Sequence, residues 1–193
     1  MFMKRSPLSI TRWVSLILTA ALIWPLSAQA QQYSERYEFI KAIKEQDVLT
    51  VRQRLTDGQY PNVRDGDGVP AIMVAAQNGG LGWVALLLKH EADINITSRT
   101  DGKTVLMYFA ERGETDAVKL ILGQRADPNI GDKFGETALM KAVRARHFRV
   151  VKAILAAGPD LTISDSSGRT ALDHAINSRD RRLEKLLRDA GAS

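Results

Sequence analysis

Apolar residues along this chain fall into two unlike patterns. Near the start, Trp13 to Leu26 (WVSLILTAALIWPL) is one uncharged run of 14 residues, preceded by Lys4 and Arg5 and followed by Ser27-Ala28-Gln29-Ala30. A basic start, an apolar middle and a small-x-small triplet predict a secretory signal peptide over residues 1–30, cut between Ala30 and Gln31. A permanent anchor fits less well, because about 20 apolar residues are needed to cross a bilayer and Pro25 interrupts the run. Farther on, apolar residues recur at helical spacing: Val84, Leu87 and Leu88, then Val118, Ile121 and Leu122, then Val151, Ile154 and Leu155, then Leu186 and Leu187.

These helices sit in a repeating frame. Gly68, Gly102, Gly135 and Gly168 are 34, 33 and 33 residues apart. After the glycine come Lys103-Thr104-Val105-Leu106-Met107, Glu136-Thr137-Ala138-Leu139-Met140 and Arg169-Thr170-Ala171-Leu172-Asp173, with Val69-Pro70-Ala71-Ile72-Met73 as a degenerate first copy. Copies close on Ala92-Asp93-Ile94-Asn95, Ala126-Asp127-Pro128-Asn129 and Gly158-Pro159-Asp160-Leu161-Thr162. At these residues the chain resembles the ankyrin repeat, across nearly everything after residue 30. The resemblance implies a mainly α fold, a solenoid of stacked helix pairs with β-hairpin tips. Counting 33 residues back from Asn95 reaches Asn62 and sets Val51 and Leu55 under Val84 and Leu88. The expected domain is therefore 31–193, with a capping copy over 34–64 and repeats over 65–98, 99–131, 132–164 and 165–193. One helix pair cannot bury its apolar face alone, so neighbours must stack and the ends must be polar.

Departures from the pattern carry expectations of their own. Phe109 replaces the small residue found at Ala75, Ala142 and Ala175, which predicts a local expansion or a shifted helix. The family's histidine after Thr-Pro-Leu becomes Met73, Met107, Met140 or Asp173, which removes its relay between repeats. The glycine ending the inner helix is read as Gly79 and Gly113, then Arg146 and Arg179, with less ideal turns in the last two copies. Thr104, Thr137 and Thr170 are placed to cap the inner helices with their hydroxyls.

Composition narrows the chemistry. With no cysteine, disulfides, thiolate metal sites and cysteine nucleophiles are excluded. His90, His147 and His174 lie in different elements and make no His-x3-His or His-Glu-x2-His pair. His90 and His147 are expected at helix ends. Asp65-Gly66-Asp67-Gly68 resembles the start of a calcium loop, but its twelfth position is Ala76 and its sixth is Pro70. No phosphate-binding loop and no catalytic set occur, so a non-enzyme without metal or cofactor is expected. Lys and Arg number 27 against 22 Asp and Glu; beyond Ala30 only 24 bases remain, a net +2 that does not suit a nucleic-acid binder.

Ankyrin repeats bind proteins through hairpin tips and the open side of the inner helices. Transferred residue by residue, the resemblance puts Tyr108, Arg112, Lys133, Phe134, Lys141, Arg144 and His174 on that face, His174 as a contact rather than a base. Tyr108 and Phe134 give it an apolar middle and the bases a rim. Nine bases and five acids occupy the transferred positions, a net +4 that falls to +2 with Asp65, Arg99, Asp132 and Asp165 included. The expected protein is a monomeric periplasmic interaction module that meets the membrane only through its leader. It binds a protein partner of acidic or mixed surface, as an accessory factor in envelope or oxidative-stress defence. The alternatives are an immunity protein that neutralises a periplasm-acting toxin and a binder of anionic envelope polymers.

Overall fold

The computed structural model describes residues 33–193; the leader over 1–30 and its Ala30–Gln31 junction lie outside the described residues. Residues 33–38 are helical, and Phe39–Ser193 forms one compact unit. Within that unit helices come in pairs. α1 (39–44 in this unit) precedes α2 (Val48–Thr56), and α3 (Ala71–Lys89) holds a whole pair, broken at Gly80 with φ 65 and ψ −155. There follow α4 (Val105–Arg112) with α5 (Thr115–Gly123), α6 (Ala138–Arg144) with α7 (Phe148–Leu155), and α8 (Ala171–Asn177) with α9 (Arg181–Asp189). The inner helices α4, α6 and α8 pack in succession, as do the outer helices α5, α7 and α9.

The stack follows from the apolar spacing. Ile72, Leu106, Leu139 and Leu172 are buried on the inner row, and Val118, Ile121, Val151, Ile154, Leu183 and Leu187 on the outer row. Each such side chain contributes about 1.5–3 kcal/mol of burial. By length and composition α3 would suffice to cross a bilayer, yet Ile72, Met73, Val74, Val84 and Leu87 are buried within the stack. Phe109 is fully buried where its counterparts are alanines, its ring edge-on to Tyr108 at 5.3 Å.

Helix ends repeat as regularly as the cores. Thr104, Thr137 and Thr170 accept from the amides of Met107, Met140 and Asp173, and Asp173 answers the Thr170 amide to close a capping box. Each such cap is worth about 1 kcal/mol. Inner helices end on a left-handed residue at Gln46, Gly80, Gly113, Arg146 and Arg179. The glycine of the first full copy is thus Gly80, not Gly79 as the sequence suggested. Gly79 is small for another reason, since a Cβ there would lie 1.8 Å from the Trp83 ring. Arg146 and Arg179 hold φ 59 and 54 in the same role, a conformation that disfavours any side chain. Gly113 answers two demands at once, φ 76 and a closest Cβ approach of 2.7 Å to the His147 ring.

Polar ties then join one repeat to the next. Asn62, Asn95 and Asn129 accept through Oδ1 from the amides of Asp93, Asp127 and Asp160, at 2.7, 2.9 and 2.8 Å. His147, the N-cap of α7, lies 3.0 Å through Nε2 from the Glu111 carbonyl, and His90 is the C-cap of α3. No strand occurs among the described residues. Three tips are five-residue turns in which the Asp65, Asp132 and Asp165 amides donate to the Val69, Glu136 and Arg169 carbonyls, with one isolated antiparallel bridge between Arg64 and Pro70. Five-residue tips are too short to extend a ladder.

Candidate functional site

The tips and inner helices enclose a groove of about 400 Å³ between Lys103 and Arg169. Its floor is built by one spacing. Asp132 and Lys141 are nine residues apart, and so are Asp165 and His174. In three of the four tips an aspartate Oδ1 accepts two amides of its own turn: Asp67 and Val69 on Asp65, Phe134 and Glu136 on Asp132, Ser167 and Arg169 on Asp165. That fixes the carboxylate and aims Oδ2 at a base. Asp65 meets Lys44 at 3.3 Å, Asp132 meets Lys141 at 2.7 Å, and Asp165 meets Arg169 at 2.9 Å and His174 Nε2 at 3.0 Å.

Charges of opposite sign alternate both within and between repeats. Lys103 bonds Glu111 at 2.8 Å; in the next copy the signs reverse, with Glu136 bonded to Arg144. Glu136 also takes Lys141 at 2.9 Å, and Arg144 reaches back to Glu111 at 3.9 Å. Burial opposes the charge of Asp132, but Lys141 and the amides of Phe134 and Glu136 hold its carboxyl below the ordinary range. Burial likewise opposes the charge of Glu111, and Lys103 with the field of Lys141 and Arg144 prevails and lowers it. Lys141 is raised in turn, Asp132 and Glu136 outweighing its burial. The Arg169 amide, against burial and with help from its side chain, holds Asp165 well below the usual carboxylate value.

Two of the residues expected on the open face are instead structural. Lys141 is 2% exposed and His174 7%, because each is drawn down onto the aspartate of its own tip. Neither side chain is free to meet a partner. The expected basic rim is also weaker than the count of bases implied. Lys44, Lys103, Arg112, Lys141, Arg144 and Arg169 are all engaged by carboxylates of the chain itself. Four expected residues do reach the surface: Lys133, Phe134, Arg112 and Arg144, with Tyr108 half-buried beneath the Arg112 guanidinium at 5.4 Å. Phe134 is 64% exposed. Sequence reading passed over Asp132, Glu136, Asp165 and Arg169 as a bonded set; the recurring nine-residue interval was the signal available.

Glu136, Asp165 and His174 bring ligand atoms within 4.8 Å of one another, the one such grouping among the described residues. Both Glu136 oxygens are already bonded, to Lys141 and Arg144, and Asp165 Oδ2 to Arg169 and His174. The set is a neutralised lattice, and a cation entering it would meet three cationic side chains.

The comparisons with known proteins agree with this architecture. A family model described as "Ankyrin repeats (3 copies)" matches residues 39–132 and 106–193. The rat protein "Ankyrin repeat and SAM domain-containing protein 6" is 38% identical over 82 residues, 42% of this chain and 9% of that one. A "Putative ankyrin repeat-containing protein" of Treponema pallidum is 29% identical over 105 residues, covering 54% of this chain and 35% of its own length. A "Putative ankyrin repeat protein FPV244" of fowlpox virus is 32% identical over 111 residues, 55% of this chain and 16% of that protein. This chain thus spans well under two thirds of each relative. The period, the capped helix pairs and the family match over most of the chain agree, and the chain belongs to the ankyrin-repeat family.

Proposed function

We propose that the chain is a non-catalytic protein-interaction module of the bacterial periplasm, and that its groove grips a protein partner. Ankyrin repeats are generally interaction scaffolds, and a rigid array of tips and inner helices offers an extended surface. The observation that carries the reading is Phe134. Its amide is pinned by Asp132 at 2.8 Å while its ring stands 64% exposed at the groove edge. An aromatic held rigidly in solvent is the kind of anchor on which protein interfaces concentrate their energy. The groove floor of paired opposite charges supports a protein surface of mixed sign, rather than an anionic envelope polymer. The periplasmic location rests on the leader sequence, and service in envelope or oxidative-stress defence on the resemblance.

The test is an affinity pull-down from periplasmic extract with the parent and a Phe134→Asp variant, followed by titration of the purified captured protein. Capture by the parent and loss of affinity by about 2 kcal/mol or more in the variant supports the reading. Equal capture by both overturns it. The captured partner's activity then separates an accessory factor from an immunity protein, since only the partner of an immunity protein would be a toxin.

A further inference from the structure

The second tip differs from the other three by one residue. Asp65, Asp132 and Asp165 each accept from the glycine three residues on, whereas the Ser98 carbonyl accepts from Gly102, four on. Ser98 therefore occupies the aspartate position, and Arg99 is not its replacement, as the sequence alignment had it, but part of a longer turn. The duty of the missing carboxylate is divided: Ser98 Oγ accepts from Thr100 at 3.2 Å and Asp101 Oδ1 from Lys103 at 3.1 Å.

Arg99 lies across the first tip. Its amide donates to the Gly68 carbonyl at 3.1 Å, and its Cβ would stand 2.7 Å from a Cβ built on Gly68. Half-buried Arg64 converges on the same place, donating through Nη1 to the Gly68 carbonyl at 2.9 Å and the Thr97 carbonyl at 2.6 Å. The stem of Arg99 thus crosses the glycine whose carbonyl holds the Arg64 guanidinium, and neither arginine forms an ion pair with a carboxylate among the described residues. The nearest acids in sequence face elsewhere, Asp65 toward Lys44 and Asp101 toward Lys103. Burial and then the charge of Arg99 press the Arg64 guanidinium below its ordinary value. No buried side-chain donor among the described residues lacks a partner, so the Nε and Nη2 groups of Arg64 left over from the two carbonyl bonds reach solvent.

We propose that Arg64 and Arg99 form an oxyanion-binding site between the first two tips, taking a carboxylate or phosphate group between their guanidinium planes. Guanidinium pairs with either anion through two parallel bonds, and the bonds to Gly68 and Thr97 hold Arg64 in place for it. The site lies apart from Phe134 and stands whether or not the groove binds a protein.

Isothermal titration calorimetry at low ionic strength near pH 7 tests it, with inorganic phosphate and acetate in separate arms. Saturable one-to-one binding of phosphate is expected, weakened about ten-fold or more by Arg99→Ser and also by Arg64→Lys, which keeps the charge but loses the fork. Lys152→Ser, which removes an exposed cation of the outer helix α7 outside the site, is expected to bind within about two-fold of the parent. Thermal unfolding without anion confirms that each variant is folded, and Arg99→Ser, at an exposed tip, remains decisive should Arg64→Lys not fold. Absence of saturable heat, parent-like binding by Arg99→Ser, or an equal loss in Lys152→Ser overturns the proposal. Competition of acetate with phosphate assigns the site to a carboxylate of a bound protein, and phosphate binding alone assigns it to free phosphate; both outcomes uphold it.

Discussion

Replacing Lys141 by methionine tests whether the groove floor is held by charge. The ammonium lies 2.7 Å from Asp132 Oδ2 and 2.9 Å from Glu136 Oε2, with side-chain exposures of 2%, 2% and 7%. Methionine keeps the stem and removes the charge. Glu136 still has Arg144, but Asp132 is left with two amides on Oδ1 and no cation. A stranded carboxylate escapes by binding a proton. At pH 7 that costs about 1.36 kcal/mol for each of the roughly three pH units above an ordinary aspartate, or ~4 kcal/mol. The amides that Asp132 retains bring the expected loss to about 3–4 kcal/mol, within the range found when one partner of a buried pair is removed. Near pH 4.5 protonation costs only about 1 kcal/mol, so the deficit must shrink with it. Urea unfolding followed by far-ultraviolet circular dichroism at both pH values reads the difference. A loss below about 1 kcal/mol at pH 7, or the same loss at both, refutes the reasoning. Adding Asp132→Asn to the variant removes the stranded charge and is expected to recover most of the deficit at pH 7.

Other consequences are as direct. Wild-type stability should fall below about pH 4: the lowered carboxyls of Asp132, Glu111 and Asp165 contribute fully above the ordinary carboxylate range and lose their contribution as pH drops through their depressed values, which an acid titration of the unfolding midpoint would show. The raised Lys141 acts oppositely, stabilising below the ordinary lysine value and ceasing to do so as pH rises through its own. Arg179→Gly relieves a left-handed side chain and should raise the melting temperature by about 1–3 °C in differential scanning calorimetry. Gly113→Ala should cost about 2 kcal/mol or more, from its φ of 76 and its collision with His147, and a smaller loss in chemical denaturation would mean that the ring moves freely aside. Asn129→Ala strands the Asp160 amide and should cost about 1 kcal/mol in the same assay.

Stacking, helix pairs and inner-helix caps were legible because each depends on residues a fixed distance apart in one copy. Val118, Ile121 and Leu122 announce an outer helix without knowledge of any neighbour. The floor of the groove was harder to read because its pairs join a tip to the inner helix nine residues on, an interval that matches neither the helix nor the strand period. Lys141 looks like a surface base on an amphipathic helix until Asp132, nine residues earlier, is folded onto it and Glu136 closes the other side. His174 is hidden by the same geometry. Gly79 and Gly80 were confused because two adjacent glycines satisfy one pattern, and only the positive φ of Gly80 and the Trp83 ring over Gly79 distinguish them. Arg99 was misplaced because aligning on glycines puts the extra residue at the wrong end of its tip.

The sign reversal between Lys103–Glu111 and Glu136–Arg144 gives the two middle copies an address. A tandem array changes length by gaining or losing whole periods, and identical units would tolerate this without penalty. Here the loss of residues 132–164 would bring Lys103 beside Arg169 and strip Glu111 of Arg144. Two chains slipped by one period would meet like against like in the same way. The array is therefore written as an ordered sentence, in which shuffling, recombination between copies and swapped pairing of neighbours are all penalised by the charges that hold it together.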